Sequence, residues 1–592
     1  MTGAVRNWVG RSRHARRVAP QRQPDVPGPL HLRRFGSAPP GKLRRNARPS
    51  APATPWSPYG PIAAHPHRHP HRGPRRDPHG RGLRAACPDC QTTLGPVTGS
   101  AEAGVNVFRG LPFAAPPVGP LRFRPPQPAV PWSAPRAATA FGPECAHVVV
   151  GLFSDGQGGT VDGQEDCLYL NVYVPAEPAS EPRPVMVWIH GGAFTSGAGS
   201  LYDASVFART HGVVVVTTNY RLGALGFLAL ADLSAESGGT SGNVGLMDQQ
   251  AALGWVKANI RAFGGDPARV TIAGESAGGM SVCAHLASPT SAGLFQGAII
   301  QSGLCASPGN TVTEPEAERR NVAWAARVGC RTDVLACLRA RDAATLLKTA
   351  VPGLRPLANL VWSPVYGTPT LPRPLLDAYR SGQFNRVPVL VGTNHDEGRV
   401  FVVLASPRGN PISLPLYWGG AGLLTGAGKV SQVLKAYPGR APGTPALAFA
   451  TLFTDAVFSC PAVQVSTALS AHVPVYAFEF NDPQAVTTLK VPPGLTSLGA
   501  FHGSSLVYVF QTRLSGLADP AAFTPAQRAL ANDFGSAWAA FVKTGRPASQ
   551  AAWPPFDPAL GNVEVFMPGG AAQRTDVATD HQCGLWSSLG LK

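Results

Sequence analysis

The sequence predicts an α/β protein with a large, mostly parallel central sheet flanked by helices and a ligand site at the carboxyl ends of the strands. Three observations carry this. Short β-branched runs at Val185–Ile189, Val213–Thr218 and Val270–Ala273 read as buried parallel-type strands. Between the last two, residues 243–262 place Leu246, Ala252, Leu253, Val256 and Ile260 at helical spacing. Glycine-rich turns directly follow two of the strands, where such a sheet presents its chemistry.

Composition narrows the class. Across 592 residues, Lys+Arg 51 against Asp+Glu 34 gives +17, which taken whole points to nucleic acid or an anionic surface. The charge is local. Residues 1–86 hold 18 of the basic residues and two of the acidic ones, a net +16; the rest keep 33 against 32, a net +1. No nucleic-acid partner is therefore expected for the body, which is long enough for one large α/β domain or two to three ordinary ones. A hydrophobic content of 44% excludes a disordered chain. The sequence shows no run of about 18 uncharged apolar residues, so no membrane span is predicted.

Residues 1–86 are rich in Arg, Pro and His, with HPHRHPHRGPRRDPHG at 65–80. They are expected to be a disordered extension, or sequence upstream of a misassigned start. No apolar stretch of a secretory signal is found there. Cys87-Pro88-Asp89-Cys90 is a C-x-x-C with no second pair at zinc spacing, and no metal site is assigned to it.

The chemistry begins at His190-Gly191-Gly192-Ala193-Phe194, after the strand at 185–189. Ester cleavage puts negative charge on a carbonyl oxygen, and a glycine-rich turn can offer it backbone N–H donors, each worth about 10²–10³ in rate. Gly274-Glu275-Ser276-Ala277-Gly278 is a G-x-S-x-G between a strand and a helical stretch beginning near Met280. A sharp strand-to-helix turn there holds the serine strained, the glycines let backbone pass, and the N–H of Ala277 adds a donor. Such a serine needs a base, and the base an orienting carboxylate, in the order Ser, Asp/Glu, His. The later histidines are His285, His395, His472, His502 and His581. His502 sits in a small-residue loop, Gly499-Ala500-Phe501-His502-Gly503, whereas His285 follows the nucleophile on its own helix and is expected to point away. The acid falls in Gly392-Thr393-Asn394-His395-Asp396-Glu397-Gly398, after the strand-like Val387–Val391; spacing does not choose between Asp396 and Glu397, nor make His395 idle.

Six ordered motifs then point to one family. EDCLYLNVYVP (165–175), WIHGGAF (188–194), NYRLGALGFLAL (219–230), GNVGLMDQQAALGWVKANIRAFGGDPARVTIAGESAGG (242–279), GTNHDEG (392–398) and GAFHG (499–503) resemble type-B carboxylesterases, which include bacterial para-nitrobenzyl esterases and animal cholinesterases. The likeness runs from about residue 93 to 590, so 87–592 is expected to be a single catalytic domain of α/β-hydrolase fold with its gorge at the carboxyl ends of the strands.

The resemblance implies a serine carboxylesterase that needs no metal or cofactor and acts on small-molecule esters through an acyl-enzyme. By position, it makes Ser276 the nucleophile and His502 the base, and selects Glu397 over Asp396 as the orienting acid. It implies an oxyanion hole from the N–H groups of Gly192, Ala193 and Ala277, with Gly191, Glu275 and Ser302 in support. It reads Arg221 and Asp248 as a buried structural ion pair. It pairs Cys145 with Cys167, Cys330 with Cys337 and Cys460 with Cys583, which implies an oxidising compartment and hence secretion or a periplasmic site, and it leaves Cys283 and Cys305 as buried thiols. Two departures matter. Ser505 stands where the family commonly has Glu, which alters the carboxylate network around Glu275 and Ser302. No Trp lies between Cys145 and Cys167, so choline esters are not expected substrates. The rival readings are a non-catalytic binding module of the same family and an amide or lactone hydrolase.

Overall fold

The computed structural model describes residues 89–149, 159–307, 311–349, 362–405, 411–426, 428–440, 444–549 and 552–590. The basic extension 1–86 and Cys87 of the C-x-x-C lie outside them.

Eleven strands form the central sheet: β1 (Ser100–Glu102), β2 (Val105–Pro112), β3 (Tyr169–Pro175), β4 (Arg183–Ile189), β5 (Val214–Thr218), β6 (Gly265–Glu275), β7 (Gly297–Gln301), β8 (Val389–Asn394), β9 (Val475–Phe480), β10 (Val563–Met567) and β11 (Gly570–Arg574). Their spatial order is β11-β10-β9-β8-β7-β6-β4-β5-β3-β2-β1. Pairing is parallel from β5 through β4 and β6 to β10, and antiparallel at both edges. The β-branched runs mark the parallel centre because those strands are covered on both faces. In β4, Val185, Val187 and Ile189 enter the core on one face of the sheet while Met186 and Trp188 enter the core on the other.

Helices supply both covers. On the first face lie α1 (Val244–Asn259) and α2 (Ala277–Ala287), through Leu246, Val256, Met280 and Val282. Near the site the chain adds α3 (Arg399–Ala405), α4 (Leu414–Thr425), α5 (Val430–Ala436), α6 (Thr444–Thr454) and α7 (Cys460–Ser470). On the second face α8 (Pro525–Thr544) buries Leu530, Phe534, Trp538 and Phe541; it starts at a capping box between Thr524 and Gln527. A π-helical turn at Asp455–Ser459 joins α6 to α7. The resulting 27-residue stretch Thr444–Ser470 is long and apolar enough by length and composition to cross a membrane, yet 67% of its most apolar window is buried inside the fold.

Three boundaries differ from the sequence reading. The strand at 270–273 extends back to Gly265 across a register irregularity. The helix over 243–262 ends at Asn259 and tightens into a 3₁₀ turn at Ile260–Phe263. The helix expected near Met280 starts at Ala277, because Ser276 alone makes the turn from strand to helix.

The cysteines require one correction. Cys145–Cys167, Cys330–Cys337 and Cys460–Cys583 are paired, with Cα atoms 4.8, 5.6 and 5.2 Å apart. Cys283 and Cys305 are not thiols: they form a fourth disulfide across 5.9 Å between Cα atoms. This bond ties α2 to the loop after β7, two segments brought together by adjacent parallel strands. Four such pairs fit an extracellular setting.

Candidate active site

β6 ends at Glu275, and Ser276 turns the chain with φ 58° and ψ −121°, a conformation L residues rarely hold. The glycines on either side make this turn possible. A Cβ on Gly278 would stand 2.0 Å from the Ile189 carbonyl oxygen, and one on Gly274 would stand 2.4 Å from the Gly278 carbonyl carbon. The Ser276 N–H donates to the Gln301 carbonyl (3.0 Å), and its own carbonyl accepts from Met280 N–H (2.9 Å). Ala277 then heads α2, where the first N–H groups of a helix have no intrahelical acceptor.

Beside it, the turn after β4 runs through Gly192, Ala193 and Phe194 with φ of 105°, 55° and 60°. The Gly192 carbonyl closes this turn by accepting from Thr195 N–H (2.9 Å) and Ser196 N–H (3.0 Å). Gly191 brings the two turns into contact, since a Cβ there would lie 3.1 Å from Ser276 Cβ. His190 is fully buried beneath, stacked on Tyr220 at 4.3 Å, and burial pushes it down to about 4, so it is neutral.

His502 arrives from the loop after β9. Its Nδ1 lies 2.6 Å from Glu397 Oε2. The other Glu397 oxygen accepts from Ser302 Oγ and from Asn394 N–H (2.7 Å). Of the two adjacent acids, Glu397 is the one that touches His502. Asp396 instead holds Arg399 at 2.8 Å and exchanges two hydrogen bonds with Ala500, accepting its N–H (3.1 Å) and donating to its carbonyl (2.9 Å). Asn394 Nδ2 adds a bond to the Phe501 carbonyl (2.8 Å), so the loops carrying Glu397 and His502 are laced together.

On its far side His502 Nε2 is 3.2 Å from Glu275 Oε1, without hydrogen-bond geometry. Burial raises the Glu275 carboxyl to about 7, with His502 pulling it down and Glu397 pushing it up. Burial alone would lower His502; Glu275 and Glu397 override this and raise it to about 9. Ser505, three residues after His502, is fully buried, and its hydroxyl makes no hydrogen bond. Phe401 and Phe458 pack against the imidazole, with ring centroids 5.3 and 4.8 Å away. Sequence reasoning missed both phenylalanines, since neither carries a motif of its own.

The other singled-out residues lie elsewhere. His285 points into the core, bonded to Ser291 (2.9 Å) and Gln249 (2.8 Å), and burial lowers it to about 3. Arg221 and Asp248 form a buried bidentate pair with both bonds at 2.7 Å. His395, Glu479 and His581 bring ligand atoms within 4.8 Å of one another, as a metal site would. However, His581 already donates to Asp455 (2.6 Å) and Glu479 (2.8 Å), so its second proton fills the cation's place.

A profile of the carboxylesterase family matches residues 86–414 and 425–586. The chain belongs to the carboxylesterase family. It is 38% identical over 474 residues to the para-nitrobenzyl esterase of Bacillus subtilis, covering 78% of this chain and 92% of that one. It is 36% identical to a fumonisin B1 esterase of Sphingopyxis macrogoltabida, over 80% and 85% of the two chains. A solved PNB esterase structure superposes with TM-score 0.70 at 35% identity, covering 84% of this chain and 99% of that one. The fold is that of the α/β hydrolases, and this carboxylesterase is a carboxylic-ester hydrolase acting on small-molecule esters.

Proposed function

We propose that this esterase works through an acyl-enzyme on Ser276, with His502 as base, Glu397 as its orienting acid and the N–H groups of Gly192, Ala193 and Ala277 as oxyanion hole. Ser276 Oγ attacks the ester carbonyl carbon as its proton passes to His502 Nε2. The three N–H groups hold the negative oxygen that develops. The tetrahedral species collapses, the carbon–oxygen bond to the alcohol breaks, and the alcohol leaves with the proton from Nε2. Water repeats the sequence and frees the acid. Glu397 keeps the proton on Nδ1 and so leaves Nε2 to accept, while Ser302 and Asn394 hold Glu397 in place.

The observation that supports this reading most is the 2.6 Å Glu397–His502 contact, with Nε2 left unbonded beside the residue preceding Ser276. Residues 87–592 are the catalytic unit and 1–86 an extension to it; the four disulfides support export from the cytoplasm. The test is covalent. A fluorophosphonate should label Ser276, and Ser276→Ala should abolish labelling and lower p-nitrobenzyl ester hydrolysis by about 10⁴ or more. Hydrolysis that persists in Ser276→Ala would overturn the assignment.

A further inference from the structure

Exposed apolar surface is concentrated in one part of the molecule. Of the twelve large hydrophobic side chains exposed among the described residues, Leu404, Leu416, Trp418, Leu423 and Leu447 all lie on α3, α4 and α6. Helix α6 packs against both of the others. Helix α4, LPLYWGGAGLLT, contains no charged residue at all. Tyr417, Gly420, Ala421 and Thr425 are its buried positions, while Leu416, Gly419 and Leu423, at a spacing of three and four, are exposed. The outer face of a solvated helix ordinarily carries charge, and this one carries leucine.

The surrounding charge is one-sided. Arg399 is held by Asp396, but from residue 400 to 454 the sequence contains no Asp or Glu and four basic residues: Arg408, Lys429, Lys435 and Arg440. Lys435 and Arg440 are exposed. An uncharged apolar helix, in 55 residues of chain that hold no acid and expose Lys435 and Arg440, is complementary to an anionic lipid surface. A solvated protein partner with mixed charges would match it less well. The same helices also reach the site. Phe401 of α3 contacts His502, and its ring meets Phe453 of α6 at 4.7 Å.

We propose that α4, with the exposed residues of α3 and α6, is a docking surface for an anionic lipid–water interface, from which poorly soluble esters enter the site. Only the delivery of esters rests on the function proposed above; docking is measured without turnover, so the two can fail separately. The experiment uses the full chain with vesicles of phosphatidylcholine, alone or mixed with phosphatidylglycerol, the acyl chains being brominated to quench nearby tryptophan. Mixed vesicles should quench emission, and Trp418→Phe should remove most of that quenching while Trp8 and Trp56 of the basic extension remain in place. Leu416→Asp with Leu423→Asp should weaken vesicle binding by about tenfold or more and leave hydrolysis of soluble p-nitrophenyl acetate unchanged.

Quenching that survives Trp418→Phe would mean that the extension alone binds, and would overturn the proposal. So would equal binding to uncharged vesicles, or no binding to either kind. A dimer in sedimentation that the two Leu→Asp changes split would assign the face to a second copy instead.

Discussion

The molecule sets two histidines between pairs of carboxylates, and they serve opposite ends. His502 stands between Glu397 (2.6 Å) and Glu275 (3.2 Å), and His581 between Asp455 (2.6 Å) and Glu479 (2.8 Å). His581 is buried and His502 half-buried, and in both the carboxylates overcome desolvation to raise the imidazole, to about 9 for His502 and about 10 for His581. The difference is in the second nitrogen. His581 spends both on hydrogen bonds, and Asp455 goes on to accept from Tyr437, whose hydroxyl accepts from Trp586. This closed chain pins the C-terminal segment to the π turn and β9. His502 spends one nitrogen and leaves the other poorly aligned to Glu275, on the side of the strained serine. A histidine–carboxylate pair is thus a brace when every donor is used and a candidate base when one is not.

The largest effect expected to separate them is on turnover. His502→Gln should lower kcat/KM by about 10⁴ or more and lower Tm by less than His581→Gln does, since His502 makes one hydrogen bond to a carboxylate rather than two. His581→Gln should do the reverse, costing about 3–5 kcal/mol because two buried carboxylates lose their cation, with kcat of the folded fraction within about twofold of wild type. Calorimetry and ester kinetics on the two variants decide this. A collapse of kcat in His581→Gln with unchanged Tm would erase the distinction. The pH dependence carries the same sign: a histidine raised to about 10 in the fold stabilises fully below its unfolded value of about 6.5. That stability is lost as pH rises through about 10, and the loss should vanish in His581→Gln.

A disulfide lies near each of the two regions. Cys460–Cys583 closes 123 residues around His581, and Cys283–Cys305 closes 22 from within α2, the helix that follows Ser276. Replacing both cysteines by alanine should cost about 4–5 kcal/mol for the long loop and about 3 kcal/mol for the short one, read by denaturant titration. Only the short one should also slow turnover. The smallest effect concerns Glu275. Removing its charge in Glu275→Gln should lower the His502 value, so the acid limb of the kcat/KM profile moves down by about one pH unit. An unmoved limb would show that Glu397 alone sets that histidine.

The sheet's parallel centre was legible because its strands, covered on both faces, repeat β-branched residues without alternation. The two glycine turns were legible because only glycine tolerates the backbone approaches at Gly274 and Gly278 in one and at Gly192 in the other. The choice of Glu397 over Asp396 was not legible from spacing: neighbours in sequence, they part company through Ser302 and Ala500, which come from two other segments, and through the local bond from Asn394 N–H to Glu397. The resemblance made that choice, and the same resemblance left Cys283 and Cys305 unpaired. An even count of eight cysteines after the C-x-x-C, with the same 22-residue separation as Cys145–Cys167, was the overlooked signal. Phe401 and Phe458 carry no motif, and the role of His581 depends on a π turn that no periodicity announces.

The reciprocal bonds between Asp396 and Ala500 bear on how this protein can be altered. They make the acid-bearing and histidine-bearing loops a single cassette, although 104 positions separate the bonded residues. Swapping one loop for that of a relative would place new side chains against an unmatched partner and tilt the imidazole. The natural unit of exchange between family members is therefore both loops together, and recombination points that divide them should yield folded proteins with little turnover.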